Sequence, residues 1–343
     1  LDNIERISFL LDQEKSFAVW RMPHGNQINW MEGGLKVFEP EQDIDGFVFH
    51  PFDASLDSPL IITTEDHASE PLNIPCRDVA TSQQVVDYEQ YSYQVNRAVE
   101  EIKTGRLKKI VLSRIIEKKG LSNEQAGQAF FGLCQSFPDA FVYLFSAGAH
   151  TRWMGASPET LVSFEGDRGF TMSLAGTLPD EGNLEWSDKE RIEQQIVTDY
   201  IVEKIKSSGA LEVVAGQPFV SKAGKLLHLK TEIRFHIPEG LNRYGFVKAL
   251  HPTPAVCGSP KDEAIQLIRS LEQHHRTYYT GFLGPWSTKG AAQLFVNLRC
   301  MAFSVHLSHI YVGGGITAAS VAEREWAETS WKAGTLSWLF DSK

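Results

Sequence analysis

Short apolar runs recur along this 343-residue chain, divided by turn residues and interrupted by segments of helical period, with no regular strand–helix–strand alternation. Phe17-Ala-Val-Trp20, Gly46-Phe-Val-Phe49 and the stretches 108–116, 141–145, 160–164 and 170–174 read as strands. Further strands are expected at 211–214, 226–236, 293–303 and 305–312, the last ending in Gly313-Gly-Gly315. Helical spacing marks 86–103, 124–135, 188–207, 260–275 and 320–340. Capping-box patterns stand at Ser187 with Glu190 and at Ser320 with Glu323. Helices scattered among many strands favour an α+β fold with largely antiparallel sheets over a doubly wound one.

Residues 1–50 read as a sheet-forming start. Residues 51–85 are polar, carry Pro51, Pro59, Pro71 and Pro75, and read as the longest loop. No Pro/Gly/Ser linker divides the chain, so one domain over 1–343 is expected, with 1–85 a variable sheet portion and loop and 86–343 the core. A hydrophobic content of 42% supports a sizeable core. A net charge of −10 argues against nucleic acid and anionic membranes as partners. It leaves room for a small anionic substrate, provided a local cationic pocket or a metal ion receives it. No apolar run approaches the roughly 18 residues that span a bilayer. Asp2, Glu5, Arg6, Asp12, Glu14 and Lys15 exclude a signal-peptide core at the start. Cys76, Cys134, Cys257 and Cys300 are scattered without a CxxC, which points to a reduced cytoplasmic protein. A monomer is the default expectation, with a weak homodimer as the alternative.

Two pairs of glutamates carry the strongest chemical signal. Glu190 and Glu193 lie three residues apart on helix 188–207, and Glu325 and Glu328 do the same on the last helix. That spacing puts both carboxylates of a pair on one helical face. Two such faces meeting would make an all-oxygen site for a hard divalent cation, Mg2+ above all. Each pair also has a plainer reading. Glu190 suits a cap partner and Glu193 a rim residue of the stripe Ile192, Ile196, Val197, Tyr200 and Ile201, while Glu328 and Lys332 suit an ordinary i, i+4 ion pair. Lys109 shares one face of its strand with Val111 and Ser113; if buried, it would be driven toward the neutral form that serves as a general base. A lysine at a fraying strand end fits the same pattern. Arg299 and Asn297 share a face of strand 293–303, where an arginine suits carboxylate binding or a structural ion pair. The triple glycine would let backbone amides and a helix N-terminus face an anion, or simply make a tight turn. The eleven histidines form no HExxH, and no GxSxG, Walker or GxGxxG motif follows a strand.

Taken in order, ten segments resemble the chorismate-utilising enzymes, a family that includes isochorismate synthase, salicylate synthase, anthranilate synthase component I and aminodeoxychorismate synthase. They are Lys109-Ile-Val-Leu-Ser-Arg114, Gly155-Ala-Ser-Pro-Glu159, Leu174-Ala-Gly-Thr177, Lys189-Glu-Arg-Ile-Glu193 and His228-Leu-Lys-Thr231. They continue with His251-Pro-Thr-Pro-Ala-Val-Cys-Gly258, Tyr279-Thr-Gly281, Leu298-Arg-Cys300, Gly313-Gly-Gly-Ile316 and Glu325-Trp-Ala-Glu328-Thr-Ser-Trp-Lys332. The resemblance runs from about Tyr88 to the C-terminus and implies two large, mainly antiparallel sheets packed together with helices outside.

The resemblance also implies roles. Glu193 and Glu328 would hold Mg2+, with Glu190 and Glu325 completing the acidic shell, and the ion would receive the ring carboxylate of chorismate. Tyr279, Arg299 and the amides of Gly313, Gly314 and Gly315 would bind the enolpyruvyl carboxylate. Lys332 and the segment Leu174, Ala175, Gly176, Thr177 would line the pocket, with His228 beside the ring. Lys109 matches the lysine that activates water in isochorismate and salicylate synthases, and Glu159 would protonate the departing C4 hydroxyl. Ala175 stands where aminodeoxychorismate synthases carry a second lysine, and the 251–258 string resembles isochorismate synthases. The expected reaction is therefore isomerisation of chorismate to isochorismate, feeding menaquinone or siderophore synthesis. Salicylate formation with pyruvate loss is one alternative, and a non-catalytic sheet protein with capped, solvated helix ends is the other.

Overall fold

The structure is a computed structural model and describes residues 2–39, 44–64, 83–180, 185–223 and 226–341. The chain opens with α1 (Asn3–Asp12) and strands β1 (Ser16–Arg21), β2 (Ile28–Glu32), β3 (Gly34–Val37), β4 (Gly46–His50) and β5 (Leu60–Thr63). Next come α2 (Tyr88–Lys103), β6 (Lys109–Lys119), α3 (Asn123–Ser136), β7 (Phe141–Ala147), β8 (Arg152–Ser157), β9 (Thr160–Glu165) and β10 (Arg168–Pro179). They lead to α4 (Asp188–Ser207), β11 (Leu211–Ala215), β12 (Phe219–Ala223), β13 (Leu226–His236), α5 (Arg243–Leu250), β14 (Gly258–Ser259) and α6 (Lys261–Leu271). The last elements are β15 (Phe282–Trp286), β16 (Ala292–Val296), β17 (Cys300–Phe303), β18 (Leu307–Ile316) and α7 (Ala322–Ser337).

The strands make two sheets, and the pairs within both are antiparallel. One runs β14-β6-β18-β17-β8-β7-β1-β2; the other runs β11-β13-β10-β9-β16-β15-β4-β5-β3, with β12 also on β13. An aromatic layer joins them: Phe49 of β4 stacks on Phe145 of β7 at 4.4 Å, and Phe295 of β16 stacks on Phe141 at 4.0 Å. Burying each such ring is worth roughly 2–3 kcal/mol. The outer faces are covered by helices. Ile7, Leu10, Phe130, Leu133 and Leu336 bring α1, α3 and α7 onto the first sheet, and Val197, Ile201, Ile205 and Phe246 bring α4 and α5 onto the second. The expected α+β architecture with two antiparallel sheets is therefore the observed one.

Several local expectations need correction. The start of the chain is not purely sheet-forming, because Asp2 and Glu5 close a capping box around α1 and Ile7, Leu10 and Leu11 bury at helical spacing. The span 51–85 contains strand β5, and 65–82 with Cys76 lies outside the described residues. Strands 293–303 are two, because Arg299 takes a left-handed φ of 48° between β16 and β17. The glycines 313–315 are not a turn: they belong to β18 and register with Ser113, Leu112 and Val111 of β6. No box forms at Ser320 and Glu323; α7 starts at Ala322, and the Ser320 hydroxyl accepts from the Thr317 N–H instead. On α4 the inward stripe is Glu193, Gln194, Val197, Ile201 and Ile205, while Ile192 is exposed. Gln194 sets that phase, since its amide donates to Ser173 Oγ at 2.8 Å and to Thr231 Oγ1 at 3.0 Å.

Candidate active site

A cavity lies where β6, β10, β13 and β18 converge under α4 and α7. Lys109 opens β6 and is fully buried. Its Nζ sits 2.7 Å from Glu193 Oε1 of α4. A second lysine–glutamate pair mirrors the first: Lys332 Nζ lies 2.7 Å from Glu328 Oε1 on α7 and donates to the Gly313 carbonyl at 2.9 Å. A side chain at position 315 would displace these groups. A Cβ on Gly315 would stand 2.3 Å from Glu193 Oε1 and 2.9 Å from Lys109 Cε.

The glycine strand also presents a free backbone edge. Pairing of β18 with β17 ends at Tyr311. On β6, the Val111 N–H donates to Cys257 O and the Ser113 N–H to Glu272, so both turn away from β18. Gly313 and Gly315, their opposite numbers, accordingly turn their peptide groups away from β6. The lysine on the Gly313 carbonyl marks that open edge.

Glu159 sits between β8 and β9, 2% exposed. Burial pushes its carboxyl up to about 8, against the lowering pull of Lys109 and Lys332, so it is protonated near neutral pH. His228 is held neutral: burial, with Arg299 beside it, lowers the imidazole to about 3. Its Nδ1 meets the Gly176 carbonyl at 2.9 Å. That contact assigns the proton to Nδ1 and leaves Nε2 to accept from Arg299 Nη2 at 3.3 Å. The Gly176 carbonyl reaches His228 because β10 bulges between Ala175 and Leu178 and Gly176 takes a φ of 68°. Arg299 also donates to Thr335 Oγ1 at 3.1 Å, which fixes its fork across the cavity wall.

The cavity therefore gathers Glu159, Leu174, Ala175, Gly176, Thr177 and Glu193 with His228, Tyr279, Arg299, Gly313, Gly315, Glu328 and Lys332. Lys109 lies just behind this wall, against Glu193. Gly314 faces the other side of β18, toward Tyr91 and Glu325. Glu190 and Glu325 line an adjoining cleft, which shares Thr177 and Glu328 with the cavity. Glu190 also keeps its cap role, accepting from the Ser187 N–H at 3.0 Å.

The four glutamates offer only oxygen donors, which suits a hard divalent cation. As they stand, no three His, Cys, Asp or Glu converge tightly enough to ligate one among the described residues, and Glu193 and Glu328 are each balanced by a lysine. The donor chemistry fits such an ion, with two carboxylates in the cavity and two in the cleft beside it.

Sequence reasoning gave no role to Thr280, Val256 or Tyr311, which also line the cavity. It also missed Glu272 and Arg276, which tie β6 to the Tyr279 segment. Arg276 pairs with Glu272 at 2.6 Å and donates to Val111 O at 2.7 Å and Val256 O at 2.8 Å. A Glu and an Arg at i, i+4 after a helix were the available signal.

Residues 58–339 match the family model described as chorismate binding enzyme. The chain belongs to that family. Among its relatives, isochorismate synthase DhbC of Bacillus subtilis is 28% identical over 83% of this chain and 78% of its own. Isochorismate synthase EntC of Escherichia coli K12 is 29% identical over 76% of this chain and 69% of its own. The solved structure of DhbC from Bacillus anthracis matches with a TM-score of 0.79 at 25% identity, covering 98% of this chain and 99% of that one. This chorismate binding enzyme thus shares its whole described architecture with solved members of the family.

Proposed function

We propose that this enzyme isomerises chorismate to isochorismate, with Mg2+ as cofactor. The observation that carries the reading is the protonated, buried Glu159 in the same site as buried Lys109, an acid and a base for a small anionic ring. Lys109, in its neutral form, takes a proton from water, whose oxygen bonds to C2 of the ring. The ring double bonds shift, and the C4–oxygen bond breaks as Glu159 protonates the departing hydroxyl. One water enters and one leaves, so the product is an isomer. Arg299, Tyr279 and the Gly313 and Gly315 peptide edge hold the enolpyruvyl carboxylate, and neutral His228 stands beside the ring without adding charge. Lys332 and the Leu174-Ala-Gly-Thr177 segment close the pocket.

Glu193 and Glu328 would hold the ion, supported by Glu190 and Glu325. When bound, it would supply positive charge to receive the ring carboxylate. The test is product analysis by chromatography after incubation with chorismate and Mg2+. The wild type should yield isochorismate, lose activity on chelation and regain it with Mg2+. Lys109→Ala should still bind chorismate yet form no product. Fluorescent salicylate from the wild type, or normal turnover by Lys109→Ala, would overturn the reading.

A further inference from the structure

Arg114 is 4% exposed, and its guanidinium meets two hydroxyls and an aromatic face rather than a carboxylate. Nε donates to Thr329 Oγ1 at 2.9 Å and Nη2 to Ser330 Oγ at 2.9 Å. Cζ stands 3.7 Å from the centre of the Trp326 ring. Both hydroxyls give their own protons to the Trp326 carbonyl, which leaves lone pairs for the arginine. Taking a guanidinium out of water is costly, and an apolar side chain of similar volume would fill the space at less cost. The cation is therefore better explained by the geometry it imposes than by packing.

That geometry concerns α7. Trp326, Thr329 and Ser330 form one stripe at i, i+3 and i+4. Glu325, Glu328 and Lys332 form another, about a third of a turn away at about 100° per residue. Gripping the first stripe fixes the rotation of the second. Arg114 is also on the same strand as Lys109, on the opposite face, and registers with Val312 beside Gly313. One strand thus carries the base on its cavity face and the helix clamp on the other.

We propose that Arg114 is a positioning residue. By holding Trp326, Thr329 and Ser330 it sets the rotation of α7, and with it the placement of Glu328 and Lys332 over the reacting ring. The inference rests on the reading of the site as chorismate-isomerising. The test compares chorismate turnover and thermal denaturation of the wild type, Arg114→Lys, Thr329→Val, their double variant and Thr329→Ser. Misplacing catalytic groups by about 1 Å costs about 100-fold. Arg114→Lys and Thr329→Val should each lower kcat/KM at least about tenfold, mainly through kcat, and the double variant should be no worse than the poorer single one. Thr329→Ser should recover to within about threefold of the wild type. Variants that melt earlier but turn over normally, or penalties that multiply in the double variant, would overturn the inference. Ser330→Ala, at an exposed position, carries the test should Arg114→Lys not fold: a loss of about threefold supports the clamp and an unchanged kcat refutes it. A wild type that leaves chorismate unchanged would refute the functional reading itself, and this inference with it.

Discussion

Glu159→Gln should make the free enzyme more stable at pH 8 while abolishing its turnover. Burial raises the folded-state carboxyl from 4.5 to about 8. Below pH 4.5 the carboxyl is protonated in the folded and unfolded chains alike, and its titration does not disfavour folding. Between 4.5 and about 8 the unfolded chain releases the proton and the folded one keeps it, so stability falls as pH rises and levels off above the folded value. At about 1.4 kcal/mol per pH unit, the loss is about 3 kcal/mol by pH 7 and at most roughly 5 kcal/mol above pH 8. Glutamine has nearly the same shape and no proton to lose, so it escapes this penalty. Urea denaturation of both proteins at pH 5, 6, 7 and 8, without ligand, reads the effect directly. The gap between them should be under about 1 kcal/mol at pH 5 and widen steadily toward pH 8. Parallel stability profiles would mean that Glu159 is already ionised in the folded protein near neutrality. Its role as the acid that protonates the leaving hydroxyl would then fail. In the wild type, kcat/KM should decline as pH rises through about 8, where the free enzyme loses that proton.

Two further perturbations probe the frame around the site. Gly315→Ala places a methyl 2.3 Å from Glu193 Oε1 and 2.9 Å from Lys109 Cε, so both side chains must shift from their 2.7 Å pairing; kcat/KM should fall about 100-fold, and an unchanged value would show that the pair is not poised as described. Glu272→Ala leaves the Arg276 guanidinium buried without its carboxylate and should cost about 3–5 kcal/mol in urea denaturation, whereas a loss under about 1 kcal/mol would refute a structural role for the pair.

The fold class was legible because strand runs and helical periods are local signals. Strand β6, helix α4 and the mixed order of elements all stand close to where spacing puts them. Three things were hidden for physical reasons. Glycine suits both tight turns and close approach, and spacing does not distinguish the two; in β18 the close approach is to Glu193 and Lys109. The break at Arg299 depends on a left-handed backbone in a residue that seldom adopts it. Arg114 stands inside a recognisable motif, but its partners are on the last helix, and no period within a strand reveals a contact made across the whole chain. The acidic pairs showed the opposite balance. Spacing put Glu325 and Glu328 on one face, yet the strand between them and α4 sends Glu325 to the adjoining cleft and Glu328 to both spaces.

The lysine–glutamate pairs explain how a chain with a net charge of −10 can hold an acidic substrate. Before Lys109 gives up a proton to act as base it offsets Glu193, as Lys332 offsets Glu328, while Glu159 is protonated and His228 neutral. Arg299 is then the unbalanced charge among these groups. A ring bearing two carboxylates brings one negative charge more than the arginine can offset. In a buried site that excess is expensive, because low dielectric magnifies it. A divalent cation on the glutamates would reverse it, which gives the acidic residues a reason to be present in a pocket for an acid. Glu193 and Glu328, without the ion, remain compatible with a folded protein because each has a lysine at 2.7 Å. On the proposed reading, substrate affinity and metal affinity would be coupled through charge.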